Sequence, residues 1–521
     1  MIRQTRGGRV GSEIMKEGTR VHPENRLSQN QVEIIHKATL SLLEDPGITC
    51  TNQKAAQLYK NAGCTVSQGE GEEAWQVRFP KNMVEQTLEK VPPKVILGAR
   101  NPANRLVLDA RVPRLYFGTG SETNIYLSAD MDEFQSRKYP SQTLSYPVFS
   151  QERGSVRHLC QSAKLCNSLS NVDFFIRNIN IQDEDINPDN KDVNVFMASL
   201  MYMTKHVQAG LVKEERLEDV LKLAEIVAGG PEQFRENPLI SFITCVIKSP
   251  LQMLKDTTSK LISIAQKGIP VVLSSSPQGG STAPIQEEGM VAQINAEILA
   301  GIILAQIVNP GTPVLYGAVP VRARLDTLHD FYGIPEFIHY NMDCIQMARH
   351  YGIPCYSSAG VGDAKVPGLQ ATIDKVFSQL RVASAGPPYI HYSVGLLDKT
   401  NIFCPLQAVL DEAQIGMIRG ILRQPSFGQE DQEEMLKDIR KVLGSKMKLF
   451  AKQIRKARRK GLISPPYPFE SHDSEDKVFL KAYKKLQEIL SGPDEKLDED
   501  SIDAVYNQVP GILPKERFKI Q

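Results

Sequence analysis

Through the middle of this chain, short apolar runs alternate with longer stretches of helical period, and the alternation predicts the architecture. The strand candidates are "VDFFIRNIN", "HVQAGL", "LISFITCVI", "IPVVLSSS", "TPVLYGAV", "IPCYSSAG" and "PYIHYSVG". Helix-length segments such as "GMVAQINAEILAGIILAQIV" and "PEFIHYNMDCIQMARHYG" lie between the later ones. Buried strands alternating with helices form parallel βαβ units. Seven or eight such units over roughly 280 residues predict an α/β protein with a TIM (β/α)8 barrel, at 151–425, rather than an open sheet. No GxGxxG follows the first strand, so a dinucleotide-binding sheet has no support.

The flanks have other patterns. Residues 1–24 are polar and Gly-rich, which predicts a flexible arm, and 25–150 predict a helical N-terminal region followed by a β-hairpin. In "LSQNQVEIIHKATLSLLEDPGI", Val32, Ile35, Leu40, Leu42 and Leu43 fall near helical spacing, with Ser28 as N-cap and Pro46-Gly47 as the stop. The alternating "NRLVLDAR" and "RLYFGTGSETNIYLSA" predict strands, as a hairpin or lid at the barrel entrance. Residues 426–521 form a charged helical C-terminal extension interrupted by the linker "ISPPYPFESHDSED". Its "KQIRKARRKG" cluster reads as a solvated helix face before it reads as a docking site for acidic surfaces.

Composition narrows the function classes. Among 521 residues, 61 Lys and Arg face 60 Asp and Glu, so no overall field attracts nucleic acid or an anionic membrane. Eight scattered cysteines without a CxxC pair predict neither a zinc site nor a disulfide framework, and fit a reducing cytoplasm. The start, "MIRQTRGGRVGSEIMKEGTR", lacks the apolar core of a secretory signal, and no run of about eighteen apolar residues occurs. Neither export nor membrane insertion is expected.

In a barrel the chemistry sits where strands end. The stretch "VVLSSSPQGGSTAPI" places Ser274, Ser275, Ser276, Gln278, Gly279 and Gly280 there, with Pro284 suited to a first helical position. It has no Lys or Arg and no GKS/T ending, so an ordinary capped turn is favoured over a phosphate cradle. Later strand ends offer Tyr316, Arg322, Arg324, Asp326 and Phe331, then Tyr356, Ser357, Ser358, Asp363 and Lys365, then Tyr389, His391 and Tyr392. Aromatic rings converging on one mouth would attract a quaternary ammonium by cation–π interaction, and an Arg or Ser at the rim could hold a carboxylate on the same ligand.

"SPQGGSTAPIQEEGMVAQINAEILAGIILAQIVNPGTPVLYG", "YGIPCYSSAGVGDAKVPGLQATIDK" and "IHYSVGLL", with the opening helix and "NAGC", resemble segments of the trimethylamine methyltransferase family in the same order, over roughly 25–425. The resemblance implies a TIM barrel that moves a methyl group from an amine or betaine to the Co(I) of a corrinoid on a separate protein. Archaeal trimethylamine enzymes of the family carry pyrrolysine in the barrel. Here only standard residues occur, "AGVGDAK" included, which points to the branch acting on glycine betaine, proline betaine, carnitine and relatives. In place of the family's C-terminal "HPHT–HFR" pattern stands "KMKLFAKQIRKARRKG".

On this basis Tyr316, Tyr356, Phe331 and Tyr392 are expected as the cage and Arg322 or Arg324 as the carboxylate holder, with His391 near the cobalt and Asp363 at the mouth. The loop of Ser275, Ser276, Gln278, Gly279 and Gly280 is expected to face the corrinoid. No tightly bound cofactor or metal is expected in the chain itself; the expected partners are a cognate corrinoid-binding protein, a quaternary amine and a second copy of the chain. Three other readings stay open: a methylamine methyltransferase, a lyase or aldolase using Lys365 as a Schiff-base amine, and a non-catalytic betaine-binding protein.

Overall fold

The computed structural model describes residues 8–10, 13–71, 73–120, 122–135, 143–425, 427–446, 448–450, 454–455, 457 and 474–520. Seven parallel strands form its central sheet: β2 (Phe174–Ile176), β3 (His206–Ala209), β4 (Ile240–Thr244), β5 (Val271–Ser275), β6 (Val314–Ala318), β7 (Cys355–Ser358) and β8 (Tyr389–His391). Residues 116–118, designated β1, close the ring. Gly118 N–H donates to Ile390 O at 3.0 Å, Ile390 N–H to Tyr116 O at 2.9 Å and Asp173 N–H to Phe117 O at 2.7 Å, with parallel bridges to both neighbours. The result is the expected (β/α)8 barrel, but its first strand lies ahead of residue 151, inside the segment whose alternation suggested an entrance hairpin. Leu115, Tyr116 and Phe117 are all fully buried, as a strand covered on both faces requires.

The barrel helices are α1 (Val156–Ser168), α2 (Lys191–Tyr202), α3 (Leu217–Ala228), α4 (Lys255–Gln266), α5 (Glu287–Val308), α6 (Pro335–His350), α7 (Leu369–Ser384) and α8 (Pro405–Leu422). Helix α5 is apolar on every side and buried from Met290 to Gln306, because the N-terminal helix Gln29–Glu44 packs over it. Among the described helices it alone is long and apolar enough to cross a membrane, and here it is a core element. Helix Gln29–Glu44 has the predicted Ser28 N-cap, extended to a capping box by Gln31, and buries Val32, Ile35, Leu40 and Leu43.

The strands read from "NRLVLDAR" sit at the end of the barrel opposite the expected entrance. Leu106–Asp109 pairs with Lys94–Leu97, and Val95, Leu97, Leu106 and Leu108 pack on Tyr116, Phe174 and Tyr389, where β1, β2 and β8 begin. This hairpin plugs the bottom of the barrel. The segment expected as a free arm is also tied down over 15–24: Lys16 Nζ lies 2.7 Å from the buried Asp173 carboxylate, and Thr19–Arg20 pairs with Arg114–Leu115. A polar sequence hides this because its anchor is one lysine that finds a buried acid.

Beyond the barrel, helix Glu475–Ser491 packs on α1 and α8, and Lys164 Nζ pairs with Asp494 at 2.6 Å. Helix Gln429–Leu443 has none of its residues buried. Most of "KQIRKARRKG" and "ISPPYPFESHDSED" lies outside the described residues.

Candidate active site

Strand alternation decides which side chains enter the barrel. On β5, Val272 joins the interior cluster and Leu273 packs outward; on β6, Leu315 is interior and Tyr316 exterior. On β7 and β8, Tyr356 and Tyr389 point inward, and His391 stacks on Tyr356. The interior rings form a column. Phe174 stacks on Tyr389 at 3.7 Å, Tyr389 lies 5.7 Å from Tyr356, Tyr356 stacks on His391 at 3.9 Å, and His391 meets Tyr392 at 3.9 Å. The column climbs from the plug to the C-terminal ends of the strands.

At the top of the column, Tyr392 occupies the left-handed region at φ 66°, which is rare for a bulky residue and turns the chain sharply as β8 ends. Gly120 makes room for it: a Cβ there would come within 2.6 Å of the Tyr392 ring and 3.0 Å of His391 Nδ1. The Ser358 hydroxyl donates to Ala318 O and lies 2.7 Å from His391 Nε2, which assigns the His391 proton to Nε2 and leaves Nδ1 a buried acceptor with no partner. Burial holds the His391 pKa well below the usual histidine range, so the ring is neutral. Burial also pushes the phenols of Tyr356, Tyr389 and Tyr392 up, so the column presents neutral aromatic rings.

Three further side chains complete the mouth. Cys245, just past β4, is reached by solvent although protein atoms surround it. Burial pushes its thiol up, partly offset by the Ser274 hydroxyl, which has no other partner. Asp330 lies near Tyr392 and 3.5 Å from Tyr332 Oη. The sequence reading passed over all three. Cys245 was one of eight unpatterned cysteines, while Asp330 and Tyr332 flank the Phe331 that drew attention.

The loop of 271–285 is built into this mouth. Gln278–Gly279, Val321–Ala323 and Asp330–Phe331 form a small three-stranded sheet, and the Gln278 amide donates to Leu328 O at 2.9 Å and Asp330 Oδ1 at 2.8 Å. Gly279 has no room for a Cβ, which would sit 2.8 Å from Tyr340 Oη, and Gly280 turns the chain at φ 86°. Ser276 is exposed and donates to Val319 O at 3.0 Å. Ser275 points behind the strand and bonds the carboxylate of Glu297 on α5.

Other expected site residues are also placed elsewhere. Tyr316 is fully buried outside the barrel, where its hydroxyl bonds Asn295 of α5. Arg322 and Arg324 lie 5.4 and 5.2 Å from the Phe331 ring, so that ring is already occupied by the chain's own cations. Each guanidinium is paired, Arg322 with Glu336 at 2.7 Å and Arg324 with both oxygens of Asp326 at 3.0 Å. Asp363 accepts from Tyr332 N at 3.1 Å and Gly333 N at 2.7 Å, clipping the segment after the small sheet. Its pKa is raised mainly by burial, and the backbone donors oppose the shift. Lys365 is exposed on its loop, away from the enclosed interior a Schiff-base lysine needs. Arg177, just after β2, is buried and paired with Glu122, which Lys191 also contacts at 3.2 Å.

Among the described residues no group of His, Cys, Asp and Glu is arranged to hold a metal ion. The eight cysteines are all free thiols.

The profile of the family described as trimethylamine methyltransferase (MTTB) matches residues 3–453. The chain is 28% identical over 393 residues to a trimethylamine methyltransferase MttB of Desulfitobacterium hafniense (strain DSM 10664 / DCB-2), covering 75% of this chain and 74% of that one. It is 29% identical over 402 residues to the MttB of Methanosarcina barkeri (strain Fusaro / DSM 804), covering 77% and 76%. It is also 26% identical over 474 residues to a glycine betaine methyltransferase of Desulfitobacterium hafniense (strain Y51), covering 90% and 92%. With a matching profile over most of its length and named methyltransferases among its relatives, the chain belongs to the trimethylamine methyltransferase (MTTB) family and is a methyltransferase.

Proposed function

We propose that the methyl donor is a quaternary amine of the betaine class, and that the acceptor is a reduced corrinoid carried by a separate protein. The aromatic column that opens at Tyr392 carries this reading. A quaternary ammonium has no N–H to donate, so it is bound best by electron-rich ring faces, and the column supplies Tyr356, His391 and Tyr392 in van der Waals succession. The Asp330 carboxylate at the rim adds a negative potential that draws a cation inward. The long coverage of the glycine betaine methyltransferase supports the same donor class.

Such a donor already bears the charge that makes its tertiary amine a leaving group, so no general acid is needed. A neutral, buried His391 fits that requirement, and its Nδ1 acceptor and the Ser274 hydroxyl remain for polar contacts to the ligand. Arg177 takes the place expected of Arg322 or Arg324 as partner of a substrate carboxylate, because all three guanidiniums are paired and Arg177 is the most buried of them. When bound, a corrinoid supplies the Co(I) nucleophile. The chain's own part is to orient an N–CH3 bond outward from the column and to keep water from the other faces of the ammonium.

The test is loss of the Co(I) spectrum of free cob(I)alamin when the protein is supplied in turn with glycine betaine, proline betaine, carnitine and trimethylamine. Turnover with a betaine supports the proposal; turnover with trimethylamine alone overturns the donor class.

A further inference from the structure

Cys245 is reached by solvent, while the other seven cysteines are buried. Protein nevertheless surrounds it closely enough for burial to push its thiol up. A side chain with both properties borders an enclosed cleft rather than the outer surface.

Its place in the ring says which cleft. On β4, Ile243 packs on the interior cluster, and Cys245 lies two residues further along, on the same side. On β5, Ser274 follows the interior Val272 in the same way. In a closed ring of eight strands β4 stands opposite β8, so Cys245 and Ser274 face His391 and Tyr392 across the mouth. Cys245 lies near the phenols of both Tyr356 and Tyr392, as a narrow gap requires.

Two buried groups point to a ligand in that gap. Ser274 is 2% exposed and its hydroxyl has no partner besides the thiol, while His391 is fully buried with Nδ1 unpaired. A buried polar atom without a partner is costly unless something that enters the site completes its bonding. The wall made by Cys245 and Ser274 also complements the rings opposite. A neutral thiol is polarisable and packs on N-methyl groups by dispersion. Because the thiolate is the nucleophilic form, a thiol kept protonated by burial does not compete for the methyl group. Neither residue is charged, so the wall does not tighten the hold on a ground-state cation.

We infer that Cys245 is a specificity-determining residue of the donor site: its thiol forms the wall across from Tyr356, His391 and Tyr392, and its size sets how bulky an ammonium head the mouth admits. The inference rests on the reading of this mouth as an amine site and is independent of the methyl acceptor.

Thiol labelling of the full chain with methyl methanethiosulfonate at mildly alkaline pH, read by mass spectrometry, is the first test. One adduct is expected, at Cys245, and glycine betaine at about ten times its Kd should slow its formation about tenfold. Calorimetric affinities give the second. The affinity of (ethyldimethylammonio)acetate relative to glycine betaine should rise about tenfold in Cys245→Ala and fall about as far in Cys245→Leu, whereas a merely structural role would move both ligands alike. Protection without any methyl transfer supports the inference while sinking the proposed reaction, and protection by trimethylamine alone supports it while overturning the donor class. No adduct at Cys245, an adduct that forms equally fast with every amine, or a relative affinity unchanged in both variants would overturn the inference.

Discussion

A tyrosine on a barrel strand can serve a cationic ligand only if it lies on the inner side, and Tyr316 and Tyr356 show how little separates the two outcomes. They occupy neighbouring strands, where Gly317 is level with Tyr356. One step along β6 places the Tyr316 phenol under α5, bonded to Asn295, while Tyr356 enters the column. Tyr316→Phe should therefore lower stability by about 1 kcal/mol through the lost hydrogen bond and leave methyl transfer unchanged. Tyr392→Leu should do the reverse, with kcat/KM down about tenfold or more and the melting temperature nearly constant, as a lost cation–π face requires. Ser275 belongs with Tyr316. Its hydroxyl is one of several donors to the buried Glu297 carboxylate, which also accepts from Ser249, Leu251 N and Gln293. Ser275→Ala should cost about 1–3 kcal/mol in chemical denaturation and spare the reaction.

At the scale of elements, the small sheet of Gln278–Gly279, Val321–Ala323 and Asp330–Phe331 couples the loop after β5 to the rim that carries Asp330 and Tyr332. Gln278 is the brace, since one side-chain amide holds both Leu328 O and Asp330. Gln278→Leu should raise KM for the amine several-fold with kcat largely kept, because the rim loses its position and the column beneath does not. The strands themselves were legible in the sequence: runs such as "VVLSS" are apolar or small throughout and proved buried on both faces. Inner and outer sides were not legible for the same reason, because a doubly covered strand carries no polar alternation to show which residues face the axis. Gly279 and Gly280 were legible as special positions, and within the chain the Tyr340 ring and a left-handed turn both call for glycine there.

At the scale of the whole molecule, two buried bases beneath the barrel each make stability depend on pH. His206 donates from Nδ1 to Gly98 O and accepts from Ser241 at Nε2, and burial lowers its pKa to about 4. Lys205, bonded to Cys166 O and Leu169 O, is lowered by burial to about 7. In each case the unfolded chain binds a proton that the folded chain refuses, so the stability present above the unfolded pKa is lost as pH falls through the window to the folded value. The stability of the chain relative to its Lys205→Met variant should therefore decline as pH falls from 10.5 to about 7, read from thermal melts of the two side by side, and its stability relative to a His206→Gln variant should decline from pH 6.5 to about 4. None of this was legible beforehand, because "KHVQAGL" shows two bases beside a strand and nothing of the plug that buries them.

The claim that joins these scales is that the aromatic mouth selects a quaternary cation. Its most direct measurement is calorimetric binding of glycine betaine beside 3,3-dimethylbutanoate, which has the same shape and carboxylate with carbon in place of the charged nitrogen. Glycine betaine should bind at least about tenfold more tightly. Equal affinity for the two would contradict the account.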